Sequence, residues 1–286
     1  MKEERRKQVI FIASCGHSGS TILELLLTSN LHCVGIGEAF QLVDPRNRII
    51  DHVEKYTCAC GDPIETCELW GSIIEDLHQK RDLPVAEKYS IIFQNVSDHC
   101  KTDCIIDSSK VMGALESIAR IPDVSVKVVH ILRDVRAYWV SIKKGRIRRN
   151  ERRLRDLIRK FGMAGFYKYL QRNRLYVFQD WYRTNKHILR TIRRLKLPAV
   201  TLSYEDLCLN TDATLSTLAE FLGVRLSLDP LGAGGAHNHN VFGNRLRHDP
   251  ERRKKLSYDY QWLGHTDWMF PAMCMPHVMK FNKNRT

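Results

Sequence analysis

The 286-residue sequence has no uncharged apolar run of about 18 residues, so no membrane-crossing helix is expected. No secretory leader is expected either. The charged stretch Met1-Lys-Glu-Glu-Arg-Arg-Lys7 leads into only six apolar or small residues, Val9 to Ser14, with no small-residue cleavage site. Nine cysteines cannot all pair, which argues against a secreted disulfide framework and for a cytoplasmic protein with mostly free thiols. Internal repeats and low-complexity tracts are absent from the sequence. Acid is in deficit, with 32 Asp and Glu against 45 Lys and Arg, a net charge of +13. Much of that excess is local: Lys143 to Lys160 holds ten Lys or Arg against Glu151 and Asp156, a net +8. A concentrated excess suits an anionic partner, whether a phosphorylated cofactor, an acidic polymer, a lipid headgroup or a nucleic acid. A solvated helix face explains it equally well.

With 43% hydrophobic residues the chain can bury a full core, and we expect one domain over residues 1–286. Val9-Ile-Phe-Ile-Ala13, Cys104-Ile-Ile-Asp107, Val126–Leu132 and Ala199–Tyr204 have the β-branched, apolar character of buried strands. Helical patterns lie between them at Thr21–Leu27, Ser72–His78, Ala86–Val96, Gly113–Ala119, Ala137–Ser141, Phe178–Leu195 and Asp212–Leu222. Alternation of this kind predicts an α/β fold of three layers, a central, mostly parallel sheet flanked by helices. A basic helical insertion is expected at about 143–195, where Leu154, Leu157, Ile158 and Phe161 form one apolar stripe. Ligands of such sheets bind at the carboxyl ends of the strands.

Ser14-Cys15-Gly16-His17-Ser18-Gly19-Ser20-Thr21 joins the first strand to the first helix. Successive N–H groups in a glycine-containing turn make an anion cradle, and the helix N-terminus adds its dipole. The loop is therefore P-loop-like, with Cys15, Gly16, His17, Ser18, Gly19, Ser20 and Thr21 as anion-binding candidates. A nucleoside-triphosphate loop, however, carries Lys after its last glycine to reach the β- and γ-phosphates. Here Ser20 stands there, and only Asp107 offers itself as a metal-binding acid at a strand end. That weakens the rival reading, a small-molecule kinase. Farther along, Arg133-Asp-Val-Arg136 follows a strand and Ser141 lies eight residues beyond Arg133. A guanidinium so placed suits bidentate phosphate binding.

His17-Ser-Gly-Ser-Thr21 and Arg133…Ser141, in this order, resemble the sulfotransferase superfamily. The likeness spans about Val9 to Arg247 and is sharp at these two places. The first element resembles the family's [K/R/H]-S-G-[ST]-[ST] loop, with His where Lys or Arg is commoner; a free histidine is cationic only below about pH 6.5. Val135 replaces the usual proline of R-D-P-R-A. The resemblance implies 3′-phosphoadenosine 5′-phosphosulfate (PAPS) as sulfuryl donor, its phosphosulfate on the loop and its 3′-phosphate on Arg133 and Ser141. It implies Tyr204, in Ser203-Tyr-Glu-Asp-Leu207, beside the adenine; read from its residues alone, the same segment is a strand-to-helix turn capped by Glu205 and Asp206. It also implies Arg247, in Gly243-Asn-Arg-Leu-Arg247, in a loop folding over the nucleotide. Asp107-Ser-Ser-Lys110 resembles a segment of bacterial-type members. On the same basis Glu38, in Val34-Gly-Ile-Gly-Glu-Ala39, is the candidate base, since Ser108, Ser109 and Lys110 occupy the place where the small-molecule branch has a histidine. His17 and Lys110 are then candidates to stabilise the leaving phosphate. A carbohydrate acceptor is the mild preference, no nucleic acid is expected, and peripheral membrane contact is left open. A non-catalytic binder of anionic polymer or lipid would explain the charge but not the two motifs.

Cys58-x-Cys60…Cys67, with His52 and His78 nearby in sequence, is not a standard structural-zinc spacing. Free thiols are the first expectation, ahead of a Cys60–Cys67 disulfide and of zinc, and no metal is expected.

Overall fold

The computed structural model describes residues 6–143, 175–227, 238–243, 248 and 256–284. Most of the basic stretch 143–160, its apolar stripe and Arg247 lie outside the described residues.

Six strands form one sheet: β1 Lys7–Ala13, β2 Val34–Gly37, β3 Cys104–Asp107, β4 Val124–Leu132, β5 Ala199–Ser203 and β6 Asn238–Val241. Their order is β5-β4-β1-β3-β2-β6, and every pairing is parallel. The side-chain period of two divides β1 between the faces. Val9, Phe11 and Ala13 enter one apolar layer with Ile36, Trp70, Tyr89 and Phe93. Ile10 and Ile12 enter the other with Leu23, Leu26, Leu27, Leu215 and Leu218. Helices thus cover both faces, as a parallel sheet requires. They are α1 Ser20–Asn30, α2 Phe40–Val43, α3 Trp70–Gln79, α4 Val85–Cys100, α5 Met112–Ile118 and α6 over 135–143. After these come α7 Leu175–Leu195, α8 Tyr204–Leu209, α9 Thr211–Leu222, α10 Met269–Cys274 and α11 Pro276–Lys283.

Helix α7, the described part of the expected insertion, buries Val177, Phe178, Trp181, Ile188 and Ile192 while exposing Arg183, Arg190, Arg193 and Arg194. Its basic residues form the solvated side of a core helix. Strands β2 and β6 answer to no strand expected from sequence. The two glycines of Val34-Gly-Ile-Gly37 weaken its strand pattern, yet Gly37 is required in a strand. Its φ is 65°, and a Cβ there would stand 2.3 Å from the Val241 carbonyl oxygen of β6. A disulfide joins Cys33, just ahead of β2, to Cys104 at the start of β3, with Cα atoms 4.5 Å apart. The other seven cysteines form no disulfide. This pair departs from the expected free thiols because parallel pairing of Val34 with Ile105 sets the preceding residues side by side. An odd cysteine count excludes complete pairing, not one bridge.

Strand order reverses at β1: the chain runs to β2 and β3 on one side of it and to β4 and β5 on the other. In parallel sheets this is where a crevice opens at the carboxyl ends. The loop after β1, Glu38 after β2, Asp107–Lys110 at the end of β3, Arg133 after β4 and Tyr204 after β5 all stand on that rim. No described helix is long and apolar enough to cross a membrane.

Candidate active site

The loop after β1 is shaped by two left-handed residues, His17 at φ 63° and Gly19 at φ 90°. Gly19 is the N-cap of α1 and offers no side chain, so the first-turn N–H groups face outward without a cap. The first turn of α1 carries no acid, leaving its dipole free to favour an anion. A Cβ on Gly19 would meet the Tyr204 ring at 2.5 Å, so the loop and the aromatic residue after β5 are in direct contact. The hydroxyls of Ser14 and Ser18 are buried and have no hydrogen-bond partner among the described residues. Buried hydroxyls of this kind are costly without a partner. Cys15 contributes only its backbone. Its thiol lies in the core within 3.9 Å of the Trp181 carbonyl oxygen, and burial pushes its pKa up to about 12.

Arg133 closes on this loop. Its guanidinium donates to the His17 carbonyl oxygen at 2.9 Å and to Asp259 Oδ2 at 2.9 Å, and lies 5.0 Å from the centre of the Tyr204 ring. Its Nε is buried without a partner among the described residues. The Trp181 indole donates to the Arg133 carbonyl oxygen at 3.1 Å, pinning the backbone from below. The next arginine has a different task. Arg136 pairs with Asp134 at 2.7 Å and stacks on Trp262, its guanidinium carbon 4.2 Å from the ring centre. Ser141 is part-buried on α6, and no hydrogen bond joins it to Arg133. The expected capping after β5 is corrected in detail. Ser203 caps α8 by accepting from the Asp206 N–H, while Glu205 turns inward to accept from the Asp134 N–H at 3.0 Å. A carboxylate buried between two strand ends gains more from that N–H than from a solvated helix end.

On the other side of β1, Lys110 donates to Glu38 Oε1 at 2.6 Å, and Gln41 donates to Oε2 at 2.6 Å. Lys110 reaches Glu38 from a left-handed backbone, φ 64°, a conformation costing roughly 1–2 kcal/mol for a residue with a Cβ. Gly243 packs against this carboxylate, where a Cβ would stand 3.2 Å from Oε1. Thus two of the sequence candidates, Glu38 and Lys110, form one ion pair, part-buried rather than on an open surface.

Two buried acids lie behind the pair: Glu24, which no sequence motif marked, and Asp107, which the sequence offered only as a metal-binding acid. Glu24 of α1 accepts from the Gly37 N–H at 2.9 Å and from Ser108 Oγ at 2.6 Å. Burial raises its pKa from 4.5 to about 7. Asp107 accepts from Tyr89 OH at 3.0 Å and from the Ser109 N–H at 2.7 Å, and burial raises it to about 6. The signal for Glu24 was a single acid inside the apolar run Ile22-Leu-Glu-Leu-Leu26. Asp259 and Tyr258, whose ring lies 6.3 Å from that of Tyr204, carried no motif at all.

A glycine loop at the carboxyl end of the reversal strand, touching an arginine from the adjacent strand, defines a P-loop-like α/β protein with an anion site. Residues 9–228 match the model of the Sulfotransferase family, and the chain belongs to that family. Its activity class is therefore sulfotransfer. Two solved structures are similar over nearly the whole chain. The sulfotransferase domain from the curacin biosynthetic pathway is 19% identical, with a TM-score of 0.51, covering 96% of this chain and 99% of that one. The sulfotransferase domain from the Synechococcus PCC 7002 olefin synthase is 18% identical, with a TM-score of 0.54, covering 96% and 97% respectively. At such identity the likeness is one of fold. No curated protein matches the chain.

Proposed function

We propose that the protein transfers the sulfuryl group of PAPS to an acceptor hydroxyl on this rim. The observation that carries the reading is Arg133, set on the Tyr204 ring and against the loop, with its Nε and the Ser14 and Ser18 hydroxyls buried and unpartnered among the described residues. Such a set fits a multiply phosphorylated nucleotide: loop N–H groups and hydroxyls for the phosphosulfate, Arg133 with Ser141 for the 3′-phosphate, and Tyr204 beside the base. Arg247 belongs to this reading as a residue of the covering loop, whose first glycine lies on Glu38.

In the reaction the acceptor oxygen attacks sulfur as the bond from sulfur to the 5′-phosphate oxygen breaks, releasing adenosine 3′,5′-bisphosphate. Glu38 takes the acceptor proton, and the Lys110 ammonium and Gln41 amide orient its carboxylate for that task. The loop N–H groups and His17 face the charge that grows on the leaving phosphate. The kinase reading loses ground on Asp107. Both its oxygens are engaged and it is fully buried, a poor ligand for a hydrated magnesium ion. A carbohydrate hydroxyl is the proposed acceptor, on family resemblance and the basic segment 143–160. A cytoplasmic setting rests on the sequence reading alone, and the Cys33–Cys104 bridge removes part of the thiol argument for it.

The test is thermal stabilisation by adenosine 3′,5′-bisphosphate compared with ATP–Mg²⁺. The bisphosphate should stabilise at lower concentration. Selective stabilisation by ATP–Mg²⁺ would overturn the donor assignment.

A further inference from the structure

A four-ligand cluster lies between the 58–67 loop and edge strand β6. The Sγ atoms of Cys58, Cys60 and Cys67 and a ring nitrogen of His239 all lie within 4.8 Å of one another. Cys60 Sγ is 3.7 Å from Cys67 Sγ, and His239 Nδ1 is 3.4 Å from Cys67 Sγ and 3.7 Å from Cys58 Sγ. A tetrahedral zinc ion, with Zn–S of about 2.3 Å and Zn–N of about 2.0–2.1 Å, requires S···S edges near 3.8 Å and S···N edges near 3.5 Å. These three edges match those of that tetrahedron. A Cys60–Cys67 disulfide would need the sulfurs at about 2.0 Å. His52 and His78, the sequence neighbours, are engaged elsewhere: His52 faces Glu54 and His78 faces Arg81.

We propose that Cys58, Cys60, Cys67 and His239 bind one structural Zn²⁺ ion. Three thiolates with one imidazole are a borderline-soft donor set that selects zinc over magnesium or calcium. Four protein ligands close the coordination sphere, so the ion serves the fold and not the chemistry.

The surrounding backbone is built to present these ligands. The Cys58-Ala-Cys60-Gly61 turn closes through the Gly61 N–H to the Cys58 carbonyl oxygen at 3.1 Å, with Gly61 at φ 108°. Thr57 and Pro63 bridge behind it. The Trp70 indole donates to the His239 carbonyl oxygen at 2.7 Å, and the Ala59 N–H donates to the Asn240 carbonyl oxygen at 3.0 Å. The ion therefore ties the 58–67 loop to edge strand β6. From β6 the Val241 carbonyl accepts the Glu38 N–H at 2.9 Å, and Gly243 packs on the Glu38 carboxylate. Zinc at this place would hold one wall around Glu38 without touching substrate.

Full-length protein, purified without chelator and analysed by elemental mass spectrometry, should carry about one zinc per chain. Cys67→Ser and His239→Ala should each lose it, while Cys208→Ser, outside the cluster, should keep it. Replacement by Co²⁺ should give thiolate-to-cobalt charge-transfer bands and the strong visible absorption of a tetrahedral ion. The cobalt spectrum of the unmutated chain decides the matter even where a variant fails to fold. The assignment is overturned by metal-free protein, by iron in place of zinc, by a Cys60–Cys67 bridge in non-reducing peptide mapping, or by full zinc content in Cys67→Ser. None of these readouts depends on sulfotransfer, so the donor-site reading stands or falls separately.

Discussion

Glu24→Gln offers the sharpest physical test of the rim. Glu24 is fully buried on α1 and bridges the end of β2 to the end of β3 through Gly37 and Ser108. Burial raises its pKa from 4.5 to about 7, opposed by the Ser108 hydroxyl and the Gly37 N–H. Between those two values the folded protein holds a proton that the unfolded chain has released. Stability from this group is therefore fully present below the unfolded value and is lost as pH rises through about 7. At 1.36 kcal/mol per pH unit, the gap is worth roughly 3 kcal/mol. Glutamine keeps the shape and an acceptor oxygen but cannot ionise. Urea midpoints of both proteins should be compared from pH 5 to pH 8. The wild type should lose roughly 3 kcal/mol relative to the variant across that range, so Glu24→Gln becomes the more stable protein at the alkaline end. Asp107, raised to about 6, pushes in the same direction but is present in both proteins and largely cancels. Buried His130 pulls the opposite way: its pKa is lowered to about 4, so stability falls as pH drops below 6.5, again in both. Parallel pH profiles for the two proteins would refute the buried, protonated Glu24.

Three further outcomes test the site itself. Arg133→Ala should weaken adenosine 3′,5′-bisphosphate binding roughly 10- to 150-fold by calorimetry, since a charge-assisted phosphate contact is worth roughly 1.5–3 kcal/mol; unchanged affinity would remove Arg133 from the donor site. Asp259→Asn should tighten the same binding by up to about fivefold, because the Asp259 carboxylate competes for the guanidinium and a partly exposed ion pair is worth about 1 kcal/mol or less. Weaker binding in that variant would mean Asp259 positions Arg133 instead of competing for it. Glu38→Gln should cut turnover by roughly 10²- to 10⁴-fold while leaving bisphosphate affinity within about twofold, and normal turnover would end its role as base.

What the sequence made legible was local. The anion loop, Arg133 and the helices α1, α3, α4, α5 and α9 are each specified by residues within one element or across one turn, where periodicity, glycine placement and a strand-end guanidinium carry the information. Glu38 and Lys110 were each singled out, but their pairing was not, because it joins positions 72 residues apart. Buried polar groups were missed for a related reason: a single acid in an apolar helix, such as Glu24, declares its burial only once Gly37 and Ser108 arrive to satisfy it.

The cysteine loop marks the limit most sharply. Its local spacing, Cys58-x-Cys60…Cys67, supplies three ligands, one short of a closed zinc site, and the histidines close in sequence, His52 and His78, do not complete it. The fourth ligand, His239, sits 172 residues beyond Cys67 in Asn238-His-Asn-Val241, a polar segment with no alternation to betray a strand. That segment is a strand because β2 offers a free edge and Gly37 lets Val241 approach where a Cβ would block it. The same close approach sets the Val241 carbonyl on the Glu38 N–H. A two-glycine segment with no strand pattern thus decides two things at once, where the candidate base is held and whether a histidine can reach three thiols.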